Sequence, residues 1–587
     1  MFYDVENKVP LFKRIVVTCI LFLALSPFAH VNADISLSHL DNINKSSEGY
    51  VELKRWVDQA LSGNAGYGFS ATDTIYVYYI TKEEKYLVHA IDMVDSFVAD
   101  EEAKIASGSR PKIANDSYLH IGDLAETVSL AYSLGHALLS EEQRLRWSKY
   151  LDQAIYNVWN HSAAEWGGNS ITWSGWATSN PDNNYYYSFL LATAMWALAS
   201  NDQDLLDMLR NEKFPSLNVA MSALTGGGSV EGTGYGVSHR GLFRLYHYWY
   251  NSTGEQLDEG RSHTKDSIDY WIHATTPDFE YYAPFGDQAR TSIPRLYYYH
   301  AQLVSAAIPL VENTEEAMRG RWWLDSISES PWQRMSRDFV YDTGGTSQMP
   351  ENLTYFAEGL GQFFARESWN KNALWFAAVA GRADESHAHQ EQGGFMLYQE
   401  GFLTVTGNVG SNGIKQATDR HNILRFEKSG NLISQNKEAL PTITPSVSAK
   451  TSSLAMGLSN LYDNNNVQEW QRNLTFDGRS LHIKDVCETS SDVNSFWQLN
   501  VPVKPTISSN KIIAGDLVAT ISAPINPLIT VESWQDLAGE SANTLWRVSV
   551  SGEACGFDVL LESATSMSKS LPNPPNGLTS TVITSGN

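Results

Sequence analysis

The chain has 587 residues, a length that fits two large domains, or one large and one small, better than a single core. With 42% hydrophobic and 18% charged residues it can bury a sizeable interior and is not intrinsically disordered. Asp plus Glu number 66 against 42 Lys plus Arg, for a net charge of −24. That surplus argues against nucleic acid or an anionic membrane as partner, yet leaves room for a local basic cleft that takes an acidic polysaccharide. Three cysteines exclude a disulfide scaffold and a multi-cysteine zinc module.

In chain order, residues 1–33 read as an export signal. Lys13 and Arg14 precede the apolar run from Ile15 to Leu25, and Val31-Asn32-Ala33 offers a small-residue cleavage site. The run is shorter than the roughly 20 residues a spanning helix needs, so no membrane insertion of the mature chain is expected and its place is periplasmic or secreted. Cys19 would leave with the signal. Cys487 and Cys555 remain, either as one disulfide or as two free thiols.

Residues 34–380 carry a helical pattern. Leu124, Val128, Ala131, Gly135 and Leu138 recur at three- and four-residue steps, as do Trp147, Leu151, Ala154 and Val158. Thr81-Lys82-Glu83-Glu84 and Ser140-Glu141-Glu142-Gln143 have the form of capping boxes. Short polar links favour antiparallel neighbours, and ten or more such helices point to an incomplete (α/α) toroid of helical hairpins.

Residues 381–562 change to period two. Asp477-Gly478 between alternating segments marks a hairpin; Phe395 to Tyr398 with Phe402 to Val405, and Leu545 to Val550 with Phe557 to Leu561, are read as further pairs. The fold class is therefore multidomain, α then β, with a C-terminal antiparallel β-sandwich. Residues 563–587 form a polar tail.

Four segments place polar residues in aromatic or glycine-rich surroundings. The loop Trp173 to Tyr187 holds Asn183 and Asn184, either helix caps or amides for a substrate carboxylate, with Trp173 and Trp176 as sugar-stacking platforms. The run Gly226 to Arg240 lets backbone approach a ligand and carries Glu231, Tyr235 and His239; His239 is either functional or a core histidine. Phe285 to Tyr299 offers Arg290, Arg295 and Tyr298 for a carboxylate. Asp384 to Gln392, followed by Asp419 to Asn422, brings His387 and His389, two apart on a strand, near His421. A divalent metal there is possible but not favoured: no obvious carboxylate completes the set, and a hydrogen-bonded domain-interface cluster is the preferred reading.

Together and in this order, these segments resemble the polysaccharide lyases with a helical toroid and an antiparallel β domain, a group spanning heparinase II/III-like, chondroitin AC-type, alginate and glucuronan lyases. Glu231-Gly232-Thr233-Gly234-Tyr235 resembles the segment carrying their catalytic tyrosine, and His387-x-His389 with Gly394-Phe395 and His421-Asn422 resembles the start of their β domain. Asn183 to Tyr187 is closest to the alginate and glucuronan branch. Arg290 and Arg295 resemble paired arginines of chondroitin-lyase-like sites. The chain departs in reading Val405-Thr406-Gly407-Asn408 where metal-containing members place Asp-x-Gly, and it lacks a histidine beside the asparagine.

The resemblance implies β-elimination at a uronic acid. Asn183 or Asn184 and Arg290 or Arg295 would neutralise the carboxylate, His239 or a tyrosine would take the C5 proton, and Tyr235 would protonate the departing O4. Glu231, Tyr298, His387 and His389 join Trp173 and Trp176 as substrate contacts. No metal or other cofactor is required, and the partner is an acidic polysaccharide, with alginate or glucuronan preferred. A glycoside hydrolase using carboxyls among Asp182, Glu231 and Asp287, and a non-catalytic glycan-binding protein, are the competing readings.

Overall fold

The structure, a computed structural model, describes residues 34–41, 43–258, 262–288, 294–328, 344–407, 416–448, 451–534 and 545–565. The signal segment, most of the polar tail and Arg290 lie outside the described residues.

From Glu48 to Ser326 the chain is helical, and helices close in sequence pack on one another. Ala71–Thr81 lies on Glu84–Ala106, and Ser262–Ala274 lies on Glu315–Ser326. Asn184–Ser200 takes Ile121–Gly135 on one side and His239–Thr253 on another. Apolar residues of Asn184–Ser200 leave no polar face: Tyr186, Tyr187 and every residue from Phe189 to Leu198 are buried. A helix apolar all round belongs inside a helical layer, where each large side chain contributes roughly 1.5–3 kcal/mol. Its N-terminus, with Asn183 and Asn184, is thereby held rigidly at one mouth of the toroid. None of the described helices is long and apolar enough to cross a membrane.

Ser140 forms its capping box with Gln143 as expected, but Thr81 does not form one. Thr81 ends the preceding helix, its hydroxyl donating to the Val77 carbonyl at 2.7 Å, and Lys82 follows in the left-handed region at φ 59°. Ser70 with Asp73 is the second capping box instead.

Helix gives way to strand earlier than the expected boundary at 380. Thr354–Ala357, Gln362–Arg366, Trp375–Val379 and Gly394–Tyr398 form a four-stranded antiparallel meander. Three of these strands are buried at every position, so their apolar runs show no alternation by which period two could be read. Phe364, Trp375, Ala377, Met396 and Tyr398 belong to the helical core, whereas Phe363, Phe376, Ala378, Phe395 and Leu397 belong to the sandwich core. This small sheet is the layer that welds the two halves.

Beyond it an eight-stranded and a five-stranded antiparallel sheet enclose the second core around Trp470, Leu474, Ile483, Trp497, Val548 and Val559. The Asp477-Gly478 hairpin is present, with Phe476 opposite Leu481 and Gly478 at φ 83°. Trp546–Ser551 and Gly556–Ser563 do not pair with each other: the first joins Val493–Val501 and Leu528–Ser533, the second Ser480–Thr489 and Leu517–Ala523. The chain crosses between sheets there, and both segments alternate because both face the same core from opposite sides. Gln399 to Gly401 is a turn, but Phe402 returns only as a single bridge to Tyr398. Cys487 and Cys555 form a disulfide, Cα atoms 5.3 Å apart.

Candidate active site

The site is built where three chain segments press together. Glu231 to Tyr235 ends in a short helical turn, Gly232–Tyr235. Gly232 sits at φ 83°, where a Cβ would stand 2.2 Å from the Phe285 carbonyl oxygen; a Cβ on Gly234 would stand 2.2 Å from that of Asp287. These glycines therefore admit another backbone segment, 283–288, and not a ligand as expected. The Thr233 amide donates to the Phe285 carbonyl at 2.8 Å, and the Asp287 amide donates to the His387 carbonyl at 2.9 Å, which brings in the third segment.

That third segment, 382–391, is a loop and not a strand. Both histidines nevertheless turn to one carboxylate: His387 Nδ1 lies 2.8 Å from Asp287 Oδ2 and His389 Nε2 lies 2.7 Å from Oδ1. Burial would raise the Asp287 pKa, but the hydrogen bonds from His387 and His389 outweigh it and hold the carboxyl at about 2. Asp287 is therefore ionised and both imidazoles donate to it. On His387 this leaves Nε2 as the basic nitrogen. The Tyr235 ring stacks on the His387 ring with centroids 3.7 Å apart and planes 9° from parallel.

Glu231 is fully buried beside this pair, with Oε1 3.7 Å from His387 Nε2. Burial first, then the charge of Glu385, pushes its pKa well above the usual carboxylate range, against a backbone hydrogen bond from Asn184 that lowers it.

In front of Tyr235 lies a cleft of about 440 Å³, lined among others by His120, Asn184, Tyr187, Tyr235, Arg240 and Tyr298. The two asparagines part company here. Asn183 caps its helix, Oδ1 accepting from the Tyr185 amide at 3.1 Å, and donates Nδ2 to Glu385 at 2.9 Å. Both its amide oxygen and its amide nitrogen are thus engaged, and the residue is fully buried. Asn184 lines the cleft, and its Oδ1 makes no hydrogen bond. Glu385 also accepts from Asn180 at 2.8 Å, and Arg382 pairs with Asp182 at 3.0 Å, so the 382–391 loop clamps the asparagine loop against the toroid.

His239 is fully buried and lines no part of this cleft. Burial and then the neighbouring His263 hold its pKa well below the ordinary imidazole value. Its Nε2 lies 3.2 Å from the hydroxyl of Tyr187, whose own pKa burial raises far above that of a free phenol. Tyr235 and His239 thus face different surroundings and do not share a face. Trp173 packs on Tyr118 and Phe189 and donates to the Asn157 carbonyl at 2.8 Å, while Trp176 is exposed; neither lines the cleft. Arg295 is exposed, its guanidinium 5.7 Å from the Tyr281 ring centroid, and is likewise outside the cleft. Tyr298 lines it as expected, and His389 is buried behind it.

A metal-competent group does form, although His387 is not in it. His389, Glu391 and His421, all buried, bring one ligand atom each within 4.8 Å of one another. Glu391 supplies the carboxylate that the sequence did not reveal as a partner. Its Oε2 lies 3.4 Å from His421 Nδ1. Two imidazoles and a carboxylate, with His389 bonded on its far side to Asp287, fit a divalent ion of the zinc kind. The other residues not singled out beforehand follow from tertiary packing. Glu385 stands two residues before His387, Arg240 ends the glycine-rich run, and His120 immediately precedes the helix whose apolar period begins at Leu124.

Comparison with known proteins bears on the fold. Residues 44–223 match the family model described as alginate lyase. Heparan sulfate lyase HepC from Pedobacter heparinus superposes with a TM-score of 0.57 at 13% identity, covering 90% of this chain and 85% of that one. Heparinase III superposes with a TM-score of 0.59 at 11% identity, covering 90% and 86%. No curated protein matches the chain. The fold is thus that of these two helical-toroid, antiparallel-β structures, and the first part of the toroid is similar to the alginate lyase family.

Proposed function

We propose that this protein cleaves an unbranched polymer of uronic acid, alginate or glucuronan, by β-elimination, after export to the periplasm or beyond the cell. The observation that carries the mechanism is Tyr235 in the wall of a cleft that also presents Asn184, its ring stacked on His387, which Asp287 holds. The C5 proton of a uronate is removable only when its carboxylate is neutralised and the enolate stabilised. In this reading the Asn184 amide meets the carboxylate. His387, held by ionised Asp287 with Nε2 as acceptor, takes the C5 proton, and Tyr235 donates its phenolic proton to the leaving O4. The role first assigned to His239 thus passes to His387, because a fully buried imidazole cannot meet a sugar ring. Tyr187, kept protonated by burial, serves as a donor only.

No step needs a cofactor. A divalent ion at His389, Glu391 and His421 would supply charge that braces the His389–Asp287 bond behind the base. The disulfide suits the oxidising compartment to which the leader points. The hydrolase reading loses support because Asp182 pairs with Arg382, Glu231 is buried, and Asp287 is engaged by two histidines.

The test is ultraviolet absorbance of the C4=C5 double bond on a panel of alginate, glucuronan, hyaluronan, chondroitin and heparan sulfate. Wild type should produce it on a polyuronate, and Tyr235→Phe should lose turnover while retaining binding. Reducing ends without that absorbance would refute elimination.

A further inference from the structure

The sandwich sends one loop to the site that the elimination leaves unused. After the strand Asn431–Ile433, which edges the five-stranded sheet, the chain runs back against the segment that carries Glu385, His387 and His389. Gln435 fixes it there. Its buried side-chain amide donates to the Gln392 carbonyl at 2.8 Å and accepts from the Gln392 amide at 3.0 Å, while the Gln390 side chain donates to the Gln435 carbonyl at 2.6 Å. Asn436 then opens a tight turn, its Oδ1 accepting from the Glu438 amide at 3.0 Å, and Lys437 stands at the crest.

Lys437 is a half-buried cation set near carboxylates that it does not touch. Asp287, Glu385 and Glu438 lie within electrostatic reach, yet among the described residues its Nζ makes no ion pair and no hydrogen bond. Partial burial lowers its pKa, and those three charges do not make up the loss. The nearer carboxylates have other partners: Asp287 takes His387 and His389, and Glu385 takes Asn180 and Asn183. An ammonium in that state gains from a carboxylate that arrives from outside, because part of its desolvation is already incurred in the folded protein. Tyr235 and Asn184 line the toroid cleft, and Lys437 does not. Contacts run from the cleft through Tyr235, His387 and Asp287 to the lysine.

We propose that Lys437 is the sandwich's contribution to substrate binding: its ammonium holds the carboxylate of the uronate next to the one that reacts, on the side of the scissile bond away from the cleft. This rests on the lyase reading and adds to it a binding residue from the second domain. Asn184 keeps the reacting carboxylate, so Lys437 sets how tightly the polymer is held and does not act on the elimination step. A lysine supplies a point charge on a flexible stem, which suits a carboxylate whose orientation the chemistry does not fix.

The experiment measures kcat and KM by double-bond absorbance on the uronate polymer that wild type cleaves, for wild type, Lys437→Gln and Lys437→Arg, with thermal midpoints alongside. Lys437→Gln should raise KM by about 10-fold or more with kcat within about threefold. Its midpoint should stay within about 2 °C of wild type. Lys437→Arg restores the charge and should bring KM back to within about threefold of wild type. If Lys437→Gln does not fold by circular dichroism, Lys437→Met, which keeps the apolar stem, decides. An unchanged KM in the deciding variant overturns the proposal. So does a fall in kcat at unchanged KM, which would put the lysine on the reacting carboxylate. A lowered midpoint that arginine does not rescue also overturns it, since Lys437 would then only balance Asp287 and Glu385. No product from any uronate polymer overturns the lyase reading itself, and this inference falls with it.

Discussion

Replacing Glu231 by glutamine should stabilise the protein at neutral pH, and increasingly so as pH rises. The carboxyl is fully buried, and Glu385, Asp182 and Asp287 stand close enough to oppose its ionisation, against one backbone hydrogen bond from Asn184. Its folded-state pKa is raised, so the native protein keeps a proton that the unfolded chain, titrating near 4.3, has already released. Stability therefore falls as pH rises from there towards the folded-state pKa, at up to about 1.4 kcal/mol per pH unit for one proton. Glutamine has the same shape and no proton to lose, so the slope disappears. For a large domain, about 2–4 °C per kcal/mol converts this to a gap between variant and wild type that widens by roughly 3–6 °C per pH unit above pH 4.5. Thermal scans at matched rate from pH 4.5 to 7.5 measure the gap directly. Parallel curves, or a variant less stable than wild type at pH 7, would refute the reasoning. Either result would mean that Glu231 is ionised and paired with His387 across the 3.7 Å that separates them.

Three further outcomes follow from the site and the sandwich. Asp287→Asn removes the carboxylate that sets the His387 tautomer, so kcat should fall by about 10²- to 10⁴-fold in a protein that still folds; a fall of less than threefold would take His387 out of the base role. Asn184→Ala should cost about 10²- to 10³-fold in kcat with stability unchanged. Asn183→Ala should show mainly as lost stability, about 1–2 kcal/mol from the cap and the bond to Glu385, so swapped phenotypes would reverse the two assignments. Replacing Cys487 and Cys555 by serine opens a 68-residue loop and should lower unfolding free energy by up to about 4 kcal/mol, read from urea midpoints; equal midpoints would show that the bridge is not formed in the purified protein.

Much of this architecture was legible because periodicity is a local property. The helical period around Trp147 to Val158 and the Asp477-Gly478 hairpin were read from neighbours in sequence, and both stand in the structure. The boundary near 380 could not be read the same way. Gln362–Arg366 and Trp375–Val379 are covered on one face by helices and on the other by the sandwich, so they are buried at every position and the alternation that marks a strand is absent.

The site divides along the same line. Residue types alone marked out Asn183-Asn184, Glu231 to Tyr235 and His387-x-His389 as the segments that carry chemistry, because amides, phenols and imidazoles in glycine- and aromatic-rich stretches are rarely mere surface. Which member of each segment reaches the cleft was decided by packing. A one-residue step at a helix start turns Asn183 inward onto Glu385 and leaves Asn184 outward, and four residues of helix carry His239 into the core while Tyr235 stacks on His387. Asp287 lies 100 residues before His387, and Glu391 faces His421 across a 30-residue interval, separations at which sequence holds no record of contact. Sequence determined the kinds of groups available and the period of the elements that bear them, since both depend on neighbours along the chain. Only the tertiary structure decided which carboxylate meets which imidazole, because that depends on three distant loops being pressed together by glycines small enough to let them touch.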